Sequence, residues 1–134
     1  MKQYQMHNTV TADPMTRGEY NALRGWTVPA GENPDDAGFL IVNPSASERN
    51  LAGYDGYVSW LPQEAFAELY READTWEQRL KIEADELAEK INKLSAFIDG
   101  DSFDKLPKEQ RNMLSQQLIF MSAYAEVLKN RLAA

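Results

Sequence analysis

Apolar positions in the C-terminal half of the chain fall into two ladders of identical spacing. The first is Leu80, Ala84, Leu87, Ile91, Leu94 and Ile98, and the second is Leu114, Leu118, Met121, Ala125, Leu128 and Leu132. Alternating steps of four and three average about 3.5 residues, the period of an apolar seam between two helices. The turn Asp99–Gly100–Asp101 separates the ladders, so the pattern predicts an antiparallel helical hairpin. Its first helix should run from Trp76 to Ile98, opened by the capping-box spacing Thr75-Trp76-Glu77-Gln78 and stopped at Gly100. Its second should open at Pro107 and continue to about Arg131, with Phe97 and Phe103 closing the turn.

The second helix carries more apolar surface than one seam can use. Phe120, Tyr124 and Val127 form another stripe at four-three spacing, with Ile119 beside it. Covering each large side chain is worth roughly 1.5–3 kcal/mol, so this face is expected to pack against something. The candidates are the N-terminal half or a symmetry mate, and we read Phe120, Tyr124 and Val127 as an oligomer interface.

The N-terminal half has a different texture. Gln3–Ala12 alternates loosely and is read as a strand. Thr16-Arg17-Gly18-Glu19 has capping-box spacing and starts a short helix over Arg17–Leu23, which Gly25 can end in a left-handed conformation. Trp26–Val28, Phe39–Val42 and Tyr57–Trp60 are expected strands, joined by loops rich in Pro, Gly, Asn and Asp. Pro62 suits the first position of a helix reaching about Arg71, which would turn Phe66, Leu69 and Tyr70 inward. The expected fold class is therefore α+β. A small mixed module, 1–73, precedes a long-helix hairpin, 74–134, with the boundary at the shift in composition near Arg71–Thr75.

Composition removes many chemistries. The chain has 134 residues with no Cys and a single His, so disulfides, thiolate nucleophiles, Cys-ligated metals and His-pair sites are excluded. A net charge of −7 argues against a non-specific nucleic-acid binder, since phosphate affinity rests on excess Lys and Arg. No apolar run is long enough to predict a transmembrane helix, and Met1–Val10 lacks the apolar core of a signal peptide. The expectation is a cytoplasmic protein that is not an enzyme and uses no cofactor or metal.

Candidate chemistry concentrates in Leu23-Arg24-Gly25-Trp26 and Tyr57-Val58-Ser59-Trp60-Leu61-Pro62. Trp26, Tyr57 and Trp60 could stack on a planar ligand such as a purine, while Arg24 holds a phosphate or stacks on the base. Backbone N–H groups at Pro62–Glu64 could add to an anion site. The same two Trp residues equally suit the core of a small domain. His7 has no obvious catalytic partner and reads as a surface or strand-edge residue. Glu32, Asp35 and Asp36 have the composition of a hard-cation site but lack its alternating ligand spacing, and read as a solvated loop. Glu86/Lys90 and Glu89/Lys93 are i,i+4 pairs on an exposed helix face.

Two resemblances follow from these residues. The run Arg79–Arg131 contains Lys90-Ile91-Asn92-Lys93-Leu94-Ser95-Ala96-Phe97-Ile98, then Gln117-Leu118, Met121, Tyr124, Val127-Leu128 and Arg131. It resembles a small family of tailed-phage proteins without assigned function, which implies a phage or prophage origin. The N-terminal module, through Arg24-Gly25-Trp26 and Val58-Ser59-Trp60-Leu61, is similar to the second Thoeris anti-defence family. That resemblance implies an oligomeric sponge for a cyclic ADP-ribose signal. The acidic–Trp dipeptide of that family has no counterpart, and Leu69-Tyr70-Arg71 stands in its place.

Together these readings lead to a homo-oligomeric phage accessory protein that counters host defence by binding a small nucleotide-derived ligand at Arg24, Trp26, Tyr57 and Trp60. The alternative is an interaction module that inhibits or redirects a host protein. A hydrolase using a carboxylate-held metal is a third, lesser reading.

Overall fold

A computed structural model describes residues 1–6 and 8–134. The chain divides into two compact units, Met1–Tyr70 and Arg71–Ala134. The first holds β1 (Thr11–Pro14), α1 (Arg17–Arg24), β2 (Gly38–Asn43), β3 (Tyr57–Pro62) and α2 (Gln63–Leu69). The second holds α3 (Trp76–Ile98), the short α4 (Asp101–Asp104) and α5 (Lys108–Ala133). The α+β expectation holds.

In the first unit the three strands form an antiparallel sheet in the order β1-β2-β3. Register sets Leu40 opposite Trp60 and Val42 opposite Val58, so these side chains share one face by the two-residue pleat. Tyr20 of α1 closes over that face with Leu40 and Val58, and Met15, Leu51, Tyr54 and Trp60 pack around them. Phe39 belongs to the other face, where α2 lies against β2 and Phe66 stacks on Phe39 at 4.1 Å between centroids. Tyr70 continues the stack at 4.9 Å.

Local signals explain α1. Thr16 caps it by accepting from the Glu19 N–H at 3.2 Å, and Gly25 ends it at φ +71°. The free edge of β3 is closed by Asn50. Its side-chain amide donates to the Val58 carbonyl and accepts from the Val58 N–H, both at 2.7 Å. One side chain thus imitates a neighbouring strand where an open edge would invite pairing with another chain.

Four local expectations are corrected. Gln3–Ala12 is not a strand: β1 begins at Thr11, and residues 1–6 and 8–10 carry no regular structure. Trp26–Val28 is irregular because Trp26 turns back onto α1, its N–H donating to the Asn21 carbonyl at 2.8 Å. Pro62 completes β3 and caps α2 from outside, and α2 ends at Leu69. Leu69 points to solvent, while Phe66 and Tyr70 are half-buried. His7 lies outside the described residues.

In the second unit α3 and α5 pack along the paired ladders. Leu80, Leu87 and Leu128 are buried, with Ala84, Ile91, Met121 and Ala125 against them. Leu128 is completely enclosed, at 0% exposure. Burial is concentrated toward the open end of the hairpin, and Leu94, Ile98, Leu114 and Leu118 are only half-covered. The Thr75–Gln78 capping box is complete: Thr75 Oγ1 accepts from the Gln78 N–H, and Gln78 Oε1 accepts from the Thr75 N–H. Phe97 and Phe103 meet edge-to-face at 6.3 Å across the turn, which contains one extra helical turn, α4. Among the described residues no helix is long and apolar enough to cross a membrane.

Candidate functional site

The four residues expected to form one ligand platform have different settings. Arg24 closes the last turn of α1, and Gly25 reverses the chain so that Trp26 returns beside it. The Arg24 guanidinium lies 4.4 Å from the centroid of the Trp26 ring, and its Nη1 donates to the Tyr20 hydroxyl at 2.9 Å. Tyr20 meets Trp26 edge-to-face at 6.1 Å. Trp26 remains 54% exposed. The result is a surface Trp–Arg pair fixed from below by a buried Tyr. A planar ligand can stack on the indole or on the guanidinium, and the unused guanidinium N–H groups can meet a phosphate.

Trp60 is held differently. Its indole Nε1 donates to the Met15 carbonyl at 2.8 Å, and Arg17 lies over its ring at 4.7 Å. Gly38 is its floor: a methyl group there would come within 2.3 Å of the indole. Its only polar atom is satisfied and its ring sits in the framework of the sheet. Tyr57 stands exposed at the start of β3. The structure therefore joins Arg24 with Trp26, joins Trp60 with Arg17, and leaves Tyr57 alone at the strand margin. The N–H of Gln63, expected to face an anion, donates to the Ala37 carbonyl at 3.0 Å.

The acidic loop has a structural task. Arg17 bridges Glu32 at 3.4 Å and Asp36 at 3.3 Å, while the Arg17 and Gly18 N–H groups donate to the Asp36 and Pro34 carbonyls. The loop is thus clamped to the start of α1. No sequence signal singled out Arg17, because its acidic partners lie 15 and 19 positions away. Tyr20 was also missed, although its i,i+4 relation to Arg24 was available.

Three ion pairs form within the hairpin unit among the described residues, two of them on Asp85. Asp85 takes both Lys81, at 3.0 Å, and Arg71, at 2.9 Å. Their hydrogen bonds, Lys81 foremost, hold its carboxyl below the usual carboxylate range. Tyr124 donates its hydroxyl to Glu83 across the helix pair, and the same bond raises the Tyr124 pKa. The Nε of Arg111 is screened from solvent with no hydrogen-bond partner among the described residues. Two open hollows of about 390 and 370 Å³ lie in the hairpin unit beside Arg71, Gln78 and Lys81, and in the sheet unit beside Thr16, Gly38 and Gln63.

The exposed Arg24–Trp26 pair and the uncovered stripe of α5 are surfaces suited to binding. The chain belongs to the Sequestin family, whose model matches residues 74–134 and so spans the hairpin from the Thr75 cap to the end of α5. It is similar to an uncharacterized 7.5 kDa protein in the denB-rIIB intergenic region of Enterobacteria phage T4. Identity is 38% over 58 residues, covering 43% of this chain and 91% of the relative. No solved structure matches the chain. The phage resemblance of the C-terminal run is borne out, and the family name itself denotes sequestration.

Proposed function

We propose that this protein sequesters a nucleotide-derived immune signal in the host cytoplasm, without altering it chemically, and does so as a homo-oligomer. The observation that carries the reading is the Arg24–Trp26 pair: an exposed indole and a guanidinium fixed in contact with it, on a chain of a family named for sequestration. The pair offers one stacking surface and one anion-binding group, the two elements a nucleotide requires. Tyr57 and Trp60 belong to the same module. Tyr57 is free to reach a ligand, and Trp60 acts by holding the sheet that presents it.

Calorimetry with a panel of cyclic and ADP-ribose-derived nucleotides tests this. Binding should be detected for at least one, the ligand should be recovered unchanged, and Trp26→Ala should abolish binding with the melting temperature preserved. No binding across the panel, or recovery of an altered nucleotide, contradicts the reading.

A second reading, an interaction module directed at a host protein, is favoured by the uncovered apolar face of α5. It predicts one stoichiometric partner from host lysate and no nucleotide affinity.

A further inference from the structure

The face of α5 turned away from its seam is a second heptad seam. Met113, Gln117, Phe120, Tyr124, Val127 and Arg131 follow the same four-three spacing as the ladder that packs on α3. The four apolar members are between 44% and 62% exposed. From Asn112 to Ala125 the helix carries no charged side chain, whereas α3 has one at nearly every turn. An uncharged, apolar helix surface marks burial.

We propose that this face pairs with the same face of a second copy, α5 against α5, antiparallel about a two-fold axis at Phe120. The inference rests on the oligomeric part of the proposed function and is independent of the ligand. Three observations select this occupant and this direction.

The first is area. Side chains of this size expose on the order of 150–250 Å² when bare, so the four half-exposed members offer on the order of 400 Å² of apolar surface. A standard interface buries about 800 Å² per partner, a little over half of it apolar. The face is therefore of the right size for one copy.

The second is self-complementarity. An axis at Phe120 sets Phe120 opposite Phe120 and Met113 opposite Val127 of the second copy, so three apolar layers span about 21 Å of helix, with Tyr124 lying across from the uncharged Gln116 between them.

The third is charge. The same register sets Glu109 opposite Arg131 of the second copy, once at each end. Both residues are exposed on this side of α5, and neither forms an ion pair within the single chain among the described residues. A parallel pairing would set like charges against each other at both ends. The antiparallel register instead closes two opposite-charge pairs and rejects the alternative.

Sedimentation of the full chain tests the pairing. Wild type should be dimeric, or an even multiple, at micromolar concentration. Glu109→Arg and Arg131→Glu, each alone, should weaken association by about tenfold, because each places like charges at both ends of the seam. The double variant should restore it. Helicity by circular dichroism should match wild type in all three, since both residues are at the surface. The chain is free of Cys, so Phe120→Cys supplies a unique thiol that should form a disulfide dimer on oxidation, while Ser115→Cys, on another side of α5, should not. A monomeric wild type, or a double variant no better than the single reversals, overturns the proposal. Nucleotide binding by a monomeric protein would overturn it while leaving sequestration standing.

Discussion

Trp60→Ala separates a ligand platform from a framework residue, and the structure commits to the framework. The substitution removes an indole packed beside Tyr20, Leu40 and Val58, takes the donor from the Met15 carbonyl, and leaves Gly38 facing a void. Large aromatic-to-Ala changes in cores cost about 3–5 kcal/mol. A core in a unit of some 70 residues rarely supplies more than about 3–5 kcal/mol in total. Trp60→Ala should therefore unfold most of the sheet unit, and Trp60→Phe, which keeps much of the volume, should cost about 1–3 kcal/mol. Gly38→Ala should resemble Trp60→Ala, because the added methyl cannot fit under the ring. Amide-resolved NMR reads the outcome: the dispersed resonances of β1, β2 and β3 should collapse in Trp60→Ala. A Trp60→Ala protein that keeps those resonances, with an unfolding free energy from urea titration within about 1 kcal/mol of wild type, refutes the assignment.

Other consequences are equally specific. Leu128→Ala opens a cavity at the one fully enclosed position of the hairpin seam and should lower stability by about 2–5 kcal/mol, read as loss of helicity in urea. Asn50→Ala strips both partners from the Val58 backbone at the sheet edge and should cost about 1–3 kcal/mol, with faster hydrogen exchange at Val58. Tyr124 should ionise above the usual tyrosine range on raising the pH. Its folded pKa lies above the unfolded value, so the contribution of its bond to Glu83 is present below about pH 10 and lost as pH rises through the folded pKa. Tyr124→Phe should delete that late phase from the ultraviolet titration, and an unchanged titration would contradict the pairing.

The hairpin was legible because its signals are local and redundant. The Thr75–Gln78 box, the 3.5-residue ladders, Gly100 and Pro107 each mark a boundary without reference to anything distant. The strands β2 and β3 were legible for a similar reason, being short apolar runs between turn residues. What failed was decided by tertiary contacts. Trp26–Val28 has the residues of a strand, yet the αL turn at Gly25 folds Trp26 onto Tyr20 and removes it from the sheet. Trp60 looked equivalent to Trp26, and only the three-dimensional floor at Gly38 and the Met15 carbonyl distinguish them. The Arg17 clamp reaches across 15 and 19 positions and the Asn50 closure across a loop of eight, and neither pairing leaves a periodic or motif signal in the sequence. The α5 stripe could be read from spacing alone, but its register against a second copy needed the exposed, unpaired state of Glu109 and Arg131.

Sequestration itself is tested most directly by what the protein carries. Native protein purified from cells with an active nucleotide-signalling defence should release, on heat denaturation, an intact nucleotide identifiable by mass spectrometry, at close to one equivalent per site. Trp26→Ala protein from the same cells should release none. Release of a hydrolysed or otherwise altered nucleotide, or of none from wild type, would contradict the account.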